Sequence, residues 1–230
     1  NLTSIQGMDE ETLKKNIALL REANVPAETT NCFFPPHVRL CGEEYDPAAI
    51  TEYTKRALDN AARLGVQLCV IGSGKARHLE EGREEECRRQ VEESVVRAAD
   101  LAHPYGITIV IEPLRAAETN YIITVAEGGD LCRRLHHPNI GVHADLYHMA
   151  DAGEPLSVLT DNAALLRHFH IAAPGTRAYP AETDGCDYAA LAKTLHDAGY
   201  DRRISIEGSS PEDFAAGVAS SIAFLRRTFA

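Results

Sequence analysis

Carboxylate and imidazole side chains, which bind divalent metal ions in proteins, recur in this chain near the ends of short apolar runs. Four of them fall at such ends: Glu112, Asp145, His170 and Glu207. Short apolar or β-branched runs are typical of strands that are buried on both faces. Pro113 cannot donate to a sheet ladder, so the first of these strands should end at Glu112. Four such residues at successive strand ends indicate one shared site rather than four unrelated charges.

Three carboxylates held within a few ångströms of one another would repel by about 1–4 kcal/mol per pair at water-like to intermediate dielectric. They would not all stay ionised without a cation. Three carboxylates and one imidazole suit Mn²⁺, Mg²⁺ or Co²⁺, whereas structural zinc prefers thiolate ligands. We therefore predict one divalent metal ion, Mn²⁺ first, at these four side chains. His143 and His168 point the same way as Asp145 and His170, one layer deeper, and are predicted to be core residues.

The elements that must position these residues alternate between strand and helix. Strands are predicted over residues 27–34, 66–71, 107–112, 140–145, 166–172 and 204–207. Helices are predicted over residues 9–23, 47–64, 83–103, 155–165 and 187–198, within residues 122–136, and over 211–229. The last helix should begin at Pro211 with Ser210 as its cap. Alternating strands and helices predict parallel pairing with the helices outside the sheet.

Six strand–helix units are visible, and eight units of this length would need about 280 residues, within the range of closed barrels. We expect an α/β fold, a TIM (β/α)8-type barrel whose first two strands are absent from this chain. Residues 1–230 would form this one domain, N-terminally incomplete. An open six-stranded sheet is the alternative. The incomplete barrel would expose two strand edges, which a partner copy in a homo-oligomer, or residues upstream, would close.

The amino-acid composition and net charge argue against some classes of binding partner. The chain carries 23 Lys and Arg residues against 34 Asp and Glu residues, a formal net charge of −11. An acidic surface repels phosphate backbones, which argues against nucleic acid. No signal peptide, long apolar run or polybasic anchor is seen, so no membrane partner is expected. The six cysteines form no Cys-x-x-Cys pair. Cys32 and Cys69 lie in strand-like runs and are predicted to be buried free thiols in a cytoplasmic protein.

The motifs around the four strand ends together resemble a known family. They are Ile-Glu112-Pro-Leu with Glu118-Thr-Asn, Asp145-Leu-Tyr-His148, His168-Phe-His170-Ile-Ala and Ser205-Ile-Glu207-Gly. This set is similar to the sugar isomerase/epimerase superfamily with xylose isomerase-like barrels, and most of all to its ketose 3-epimerases of the tagatose/psicose type. The resemblance covers the chain from about residue 30 onward.

This resemblance implies roles for individual residues. Glu112, Asp145, His170 and Glu207 match the metal ligands. Glu112 and Glu207 also match the two acid/base carboxylates that move a proton through an enediolate. Glu118, His148 and Arg177 match substrate-binding residues. Arg177 stands seven residues after His170, where the epimerase pattern has six, and the loop between them also differs. The implied partner is a small-molecule sugar.

Other functions stay open at this point. A hydroxypyruvate or inosose isomerase or dehydratase of the same superfamily would use the same metal ligands. A non-catalytic sugar-binding or incomplete barrel is a second alternative, and an AP endonuclease is disfavoured by the acidic charge. The turn at Gly72-Ser-Gly-Lys75-Ala-Arg77 lacks both the dinucleotide and the Walker spacing. Lys75 or Arg77 could still meet the phosphate of a phosphorylated sugar.

Overall fold

A computed structural model describes residues 2–230 of the chain, in which strands alternate with helices. The strands are β1 (Thr29–Thr30), β2 (Leu68–Ile71), β3 (Thr108–Ile111), β4 (Ile140–Asp145), β5 (Leu166–Ile171) and β6 (Ile204–Ile206). The helices are α1 (Leu2–Gln6), α2 (Glu10–Glu22), α3 (Pro47–Leu64), α4 (Glu84–Ala102), α5 (Val125–Leu135), α6 (Leu146–Asp151), α7 (Ser157–Asp161), α8 (Tyr188–Asp197) and α9 (Phe214–Thr228). None of the helices within residues 2–230 combines the length and apolar character needed to cross a bilayer.

The described residues fall into two compact units. The first unit contains the residues up to 111 together with residues 117–121 and 132–141. The second unit contains residues 112–116, 122–131 and 142–230. Strands β1 to β3 belong to the first unit, and β5, β6 and residues 142–145 of β4 belong to the second.

In the first unit, β1, β2 and β3 are parallel neighbours in chain order. Thr30 is in register with Cys69, and Val70 is in register with Val110. Leu68, Val70 and Val110 form an apolar cluster, as expected where a parallel sheet is buried on both faces.

Helix α3 shows how local signals set an element's ends. The Asp46 side chain accepts hydrogen bonds from the backbone N–H groups of Ala48 and Ala49. At the other end Gly65 adopts a φ of 86°, a left-handed conformation that glycine tolerates without strain. The helix spans Pro47–Leu64, so its predicted bounds are confirmed. Both signals that set these bounds are local.

In the second unit, β4, β5 and β6 are also parallel neighbours in chain order. Asp145 is in register with His170, and His170 is in register with Ser205. The carboxyl ends of these three strands therefore lie side by side at one edge.

Several predicted boundaries were wrong. Strand 27–34 is only Thr29–Thr30, since the backbone leaves the strand where Cys32 takes a φ of 51°. Cys32 is consequently exposed rather than buried. The predicted helix 155–165 is replaced by α6, which directly follows β4, and the short α7. The last helix begins at Phe214, because Asp213 rather than Ser210 accepts from a backbone N–H of its first turn.

Candidate metal centre

The four ligand-type residues all belong to the second unit and lie at or beside strand ends. Asp145 ends β4 and His170 lies one residue before the end of β5. Glu112 and Glu207 directly follow β3 and β6. The parallel register of β4, β5 and β6 accounts for the proximity of Asp145, His170 and Glu207, because parallel strands bring their carboxyl ends to the same edge.

The structure brings these four side chains together. His170 Nδ1 lies 3.5 Å from Glu112 Oε1 and 3.3 Å from Glu207 Oε2. Taking one ligand atom from each of Glu112, Asp145, His170 and Glu207, all four atoms lie within 4.8 Å of one another. That spacing is compatible with a common ion at ordinary metal–ligand distances of about 2–2.6 Å.

Burial raises the free-energy cost of holding these charged side chains together without a cation. Glu112, Asp145 and His170 are buried, and Glu207 is half-buried. Asp145 Oδ1 accepts from the Tyr147 N–H at 2.9 Å and so caps α6. Asp145 Oδ2 and His170 Nδ1 make no hydrogen bond within the described part of the chain, although both are enclosed. A buried polar atom without a bond costs about 1–3 kcal/mol, and a cation would supply the missing interaction. The residues therefore fit a divalent metal ion.

The protonation of the cluster without a cation also fits a metal site. Burial, then the nearby Glu112 carboxylate, raises the pKa of Asp145 to about 7. Burial acts to lower the pKa of His170, but the carboxylates of Glu112 and Glu207, 3.5 and 3.3 Å from its Nδ1 atom, outweigh burial and raise that pKa to about 10. Protonated His170 thus supplies a positive charge among these carboxylates, and a bound metal ion would displace this proton.

Two histidines lie one layer below these ligands. His143 is fully buried, and its Nε2 atom lies 3.4 Å from Glu112 Oε1. His168 is also buried, and its Nε2 lies 3.0 Å from the Ser205 hydroxyl. Burial lowers the pKa of His143 to about 4 and that of His168 to about 2. Both were predicted to be core residues and both are buried.

The contact between His143 and Glu112 was missed by the sequence reasoning. The signal was present, because His143 stands two residues before Asp145 on the same face of β4. Burial opposes ionisation of Glu112, but His143 and His170 outweigh it and hold the Glu112 pKa well below its usual range.

The predicted substrate-binding residues His148 and Arg177 lie beside the cluster. His148 is buried, with Nε2 3.7 Å from Asp145 Oδ2. Arg177 Nη2 donates to Glu207 Oε2 at 2.8 Å and lies 3.9 Å from Asp145 Oδ2. Arg177 is therefore held by one carboxylate that would bind the ion, and His148 lies next to another.

Tyr147 and Arg115 were not singled out from the sequence. The Tyr147 ring lies under two guanidinium groups, with Arg177 Cζ 4.9 Å and Arg115 Cζ 5.1 Å from its centroid. The Arg115 backbone N–H also donates to His148 Nδ1 at 3.4 Å. The two arginines, Tyr147 and His148 thus form one cationic and aromatic group next to the carboxylates.

Glu118, the third predicted substrate-binding residue, lies in the first unit. It is half-buried on the segment of residues 117–121. The Asn120 side chain ties this segment to both backbone groups of Leu79, at 2.8 and 3.0 Å. The Arg77 guanidinium donates to the carbonyls of Tyr121 and Ile71. Arg77 is only 1% exposed, so it is a structural residue and not a phosphate contact.

The xylose isomerase-like TIM barrel family matches residues 3–228. A ketose 3-epimerase from Arthrobacter globiformis is 30% identical over 191 residues, covering 80% of this chain and 65% of that protein. D-allulose 3-epimerase from Methylomonas sp., solved in complex with D-allulose, matches with a TM-score of 0.84 at 22% identity over 94% of this chain and 81% of that chain. The apo structure of 3-keto-D-glucoside 4-epimerase from E. coli matches with a TM-score of 0.81 at 22% identity. The match covers 94% of this chain and 85% of that chain.

The chain belongs to the xylose isomerase-like TIM barrel family. The predicted TIM-barrel fold class and the resemblance to ketose 3-epimerases are confirmed. The chain spans 65% of the length of the curated ketose 3-epimerase that it matches.

Proposed function

We propose that this chain is a divalent-metal-dependent carbohydrate isomerase of the ketose 3-epimerase type. It would act on a small-molecule ketose by proton transfer through an enediolate. The observation that carries the proposal is the convergence of ligand atoms from Glu112, Asp145, His170 and Glu207 within 4.8 Å of one another. The similarity to the ketose 3-epimerase of A. globiformis supports the choice of substrate class.

The four converging residues would hold one metal ion, with Mn²⁺ as the first candidate and Mg²⁺ and Co²⁺ as the others. When bound, the ion supplies Lewis acidity that polarises the ketose carbonyl and its neighbouring hydroxyl. Asp145 Oδ2 and His170 Nδ1, which are enclosed and make no hydrogen bond among the described residues, are the atoms whose burial this ion would offset.

Glu112 and Glu207 are the proposed acid/base pair. One carboxylate takes the proton from the carbon next to the carbonyl, and the other returns a proton to the opposite face of that carbon. The Glu207 side chain is 24% exposed and the Glu112 side chain 5%, so Glu207 is the more open to a substrate. The bond from Arg177 fixes the orientation of the Glu207 carboxylate.

The substrate contacts are assigned by the same resemblance. His148 is proposed to bind a substrate hydroxyl, Glu118 to bind near the carbonyl end, and Arg177 to contact the substrate beside Glu207. We also propose a cytoplasmic location, which fits six cysteines that remain as thiols.

Deuterium exchange tests this function directly. The protein is loaded with Mn²⁺, its metal content is measured, and a panel of ketoses is followed by NMR in D₂O. Exchange at C3 together with formation of the C3 epimer is the expected result. Exchange at C1 or C2 alone would replace the epimerase with an aldose–ketose isomerase. Metal-loaded protein that exchanges no proton of any ketose would overturn the proposal in favour of a binding protein.

A further inference from the structure

His143 is a buried side chain to which the proposed reaction assigns no role. It is 0% exposed, and neither ring nitrogen makes a hydrogen bond of good geometry among the described residues. An imidazole has one N–H donor and one lone pair, and both normally find partners when they are enclosed. The group on the site side is Glu112, whose Oε1 atom lies 3.4 Å from His143 Nε2.

Two ligand-atom distances at Glu112 Oε1 match those found around a tetrahedral ion. His143 Nε2 lies 3.4 Å and His170 Nδ1 lies 3.5 Å from this oxygen. Ligands at 2.0–2.1 Å from a tetrahedral zinc ion are about 3.3–3.4 Å apart. One ligand atom from each of Glu112, His143 and His170 fall within 4.8 Å of one another, in a grouping separate from the one with Asp145 and Glu207.

We propose that the centre has a second metal position, formed by Glu112, His143 and His170, that binds a borderline transition metal such as Zn²⁺. The inference rests on the proposed function, because it concerns the metal centre of that same site. His143 is thereby a metal ligand, and a borderline transition metal is the class of ion that uses it.

Ligand chemistry separates the two positions. Two imidazoles and one carboxylate are a typical zinc set with a fourth place left open, whereas one imidazole and three carboxylates suit Mn²⁺ or Mg²⁺. Zn²⁺ also binds nitrogen ligands more tightly than Mn²⁺ does. His170 Nδ1 lies beside the carboxylates of both sets and has a single lone pair, so the two positions are alternatives and only one ion is bound at a time. Zn²⁺ would therefore displace Mn²⁺ one for one and leave Asp145 and Glu207 without their ion.

Metal affinities measured on the stripped protein test this assignment. Dissociation constants for Zn²⁺ and Mn²⁺ are determined by chelator competition for the wild type, His143→Gln and His168→Gln. His168 is the matched control, since it is a buried imidazole of the same layer that contacts Ser205 instead of Glu112. We expect His143→Gln to lower Zn²⁺ affinity at least about tenfold more than Mn²⁺ affinity. His168→Gln should leave the ratio of the two affinities unchanged.

An unchanged ratio in His143→Gln, or an equal shift in His168→Gln, would overturn the second position. Should His143→Gln fail to fold, as judged by circular dichroism, wild-type crystals grown with Zn²⁺ decide the matter by anomalous scattering. Zinc about 2.0–2.1 Å from His143 Nε2 supports the proposal. Zinc bound by Asp145 and Glu207 without His143 rejects it. Failure of the wild type to bind Mn²⁺ would instead count against the proposed function.

Discussion

A β-carbon at position 208 would stand 2.7 Å from the carbonyl oxygen of Arg177, so only glycine fits beside this backbone. The same carbonyl accepts the Ser209 N–H at 2.7 Å, and Ala178 and Ser209 form a parallel bridge. The loop that carries Arg177 is thereby held against the residue after Glu207. This close approach is what allows the Arg177 guanidinium to reach the Glu207 carboxylate at 2.8 Å.

Gly208→Ala should therefore disturb the site through the backbone. We expect a stability loss of about 1–3 kcal/mol from the added methyl group. Displacing Arg177 and Glu207 by about 1 Å should lower kcat/KM of the proposed epimerisation about 100-fold. Denaturant unfolding and steady-state kinetics measure the two effects. Gly7→Ala is the matched control, because a β-carbon there meets nothing within 4 Å. Equal behaviour of both variants would show that this contact is unimportant.

Glu207→Gln and Glu112→Gln should each abolish turnover. An amide cannot take a proton from carbon, and loss of one acid/base group costs about 10²–10⁴-fold in rate. The measurement is the rate of C3 proton exchange with saturating Mn²⁺. Glu154→Gln is the control, since this carboxylate of the second unit accepts the Val125 and Ala126 N–H groups instead of facing the cluster. Wild-type exchange by Glu207→Gln would remove the acid/base assignment.

The parts of the fold that could be predicted are those set by local signals. Helix α3 has a capping aspartate, a proline in its first turn and a left-handed glycine at its end, and its bounds were predicted residue for residue. Helix α6 was missed because its cap is Asp145, which sequence reasoning had already assigned to a metal ion. One residue serves both roles, with Oδ1 bonded to the Tyr147 N–H.

The candidate site could be predicted where the alternation of side chains along a strand fixes the direction in which they point. It could not be predicted where a contact depends on tertiary packing. Parallel strands bring their ends together, so Asp145, His170 and Glu207 could be grouped from the sequence. The burial of Arg77 could not be predicted from the sequence, because its carbonyl partner Tyr121 is 44 residues away along the chain. The stacking of two arginines on Tyr147 likewise follows from loop conformations, including a φ of 55° at Arg177.

Metal affinity should rise with pH between about 6 and 8. Binding requires the ionised carboxylate of Asp145 and the neutral imidazole of His170. Their pKa values without metal are raised to about 7 and about 10, so both groups are protonated at pH 6 and only His170 stays protonated above pH 7. Mn²⁺ should then release about two protons at pH 6 and about one at pH 8.

Calorimetry in buffers of different ionisation enthalpy counts these protons. Asp145→Asn serves as the comparison, since it should remove the steeper part of the pH dependence as well as weaken binding. A wild-type affinity that does not change across this range would contradict the protonation described for the cluster.

His148→Ala should weaken substrate binding more than it slows the chemistry. His148 Nδ1 accepts the Arg115 N–H, so the Nε2 atom carries the ring proton and can donate to a substrate hydroxyl. Losing one such hydrogen bond costs about 0.5–1.5 kcal/mol, which is roughly a two- to tenfold rise in KM with kcat little changed. His148→Asn is the control for the backbone contact, because its amide oxygen can still accept from Arg115. A fall in kcat at constant KM in both variants would instead place His148 in the proton transfer itself.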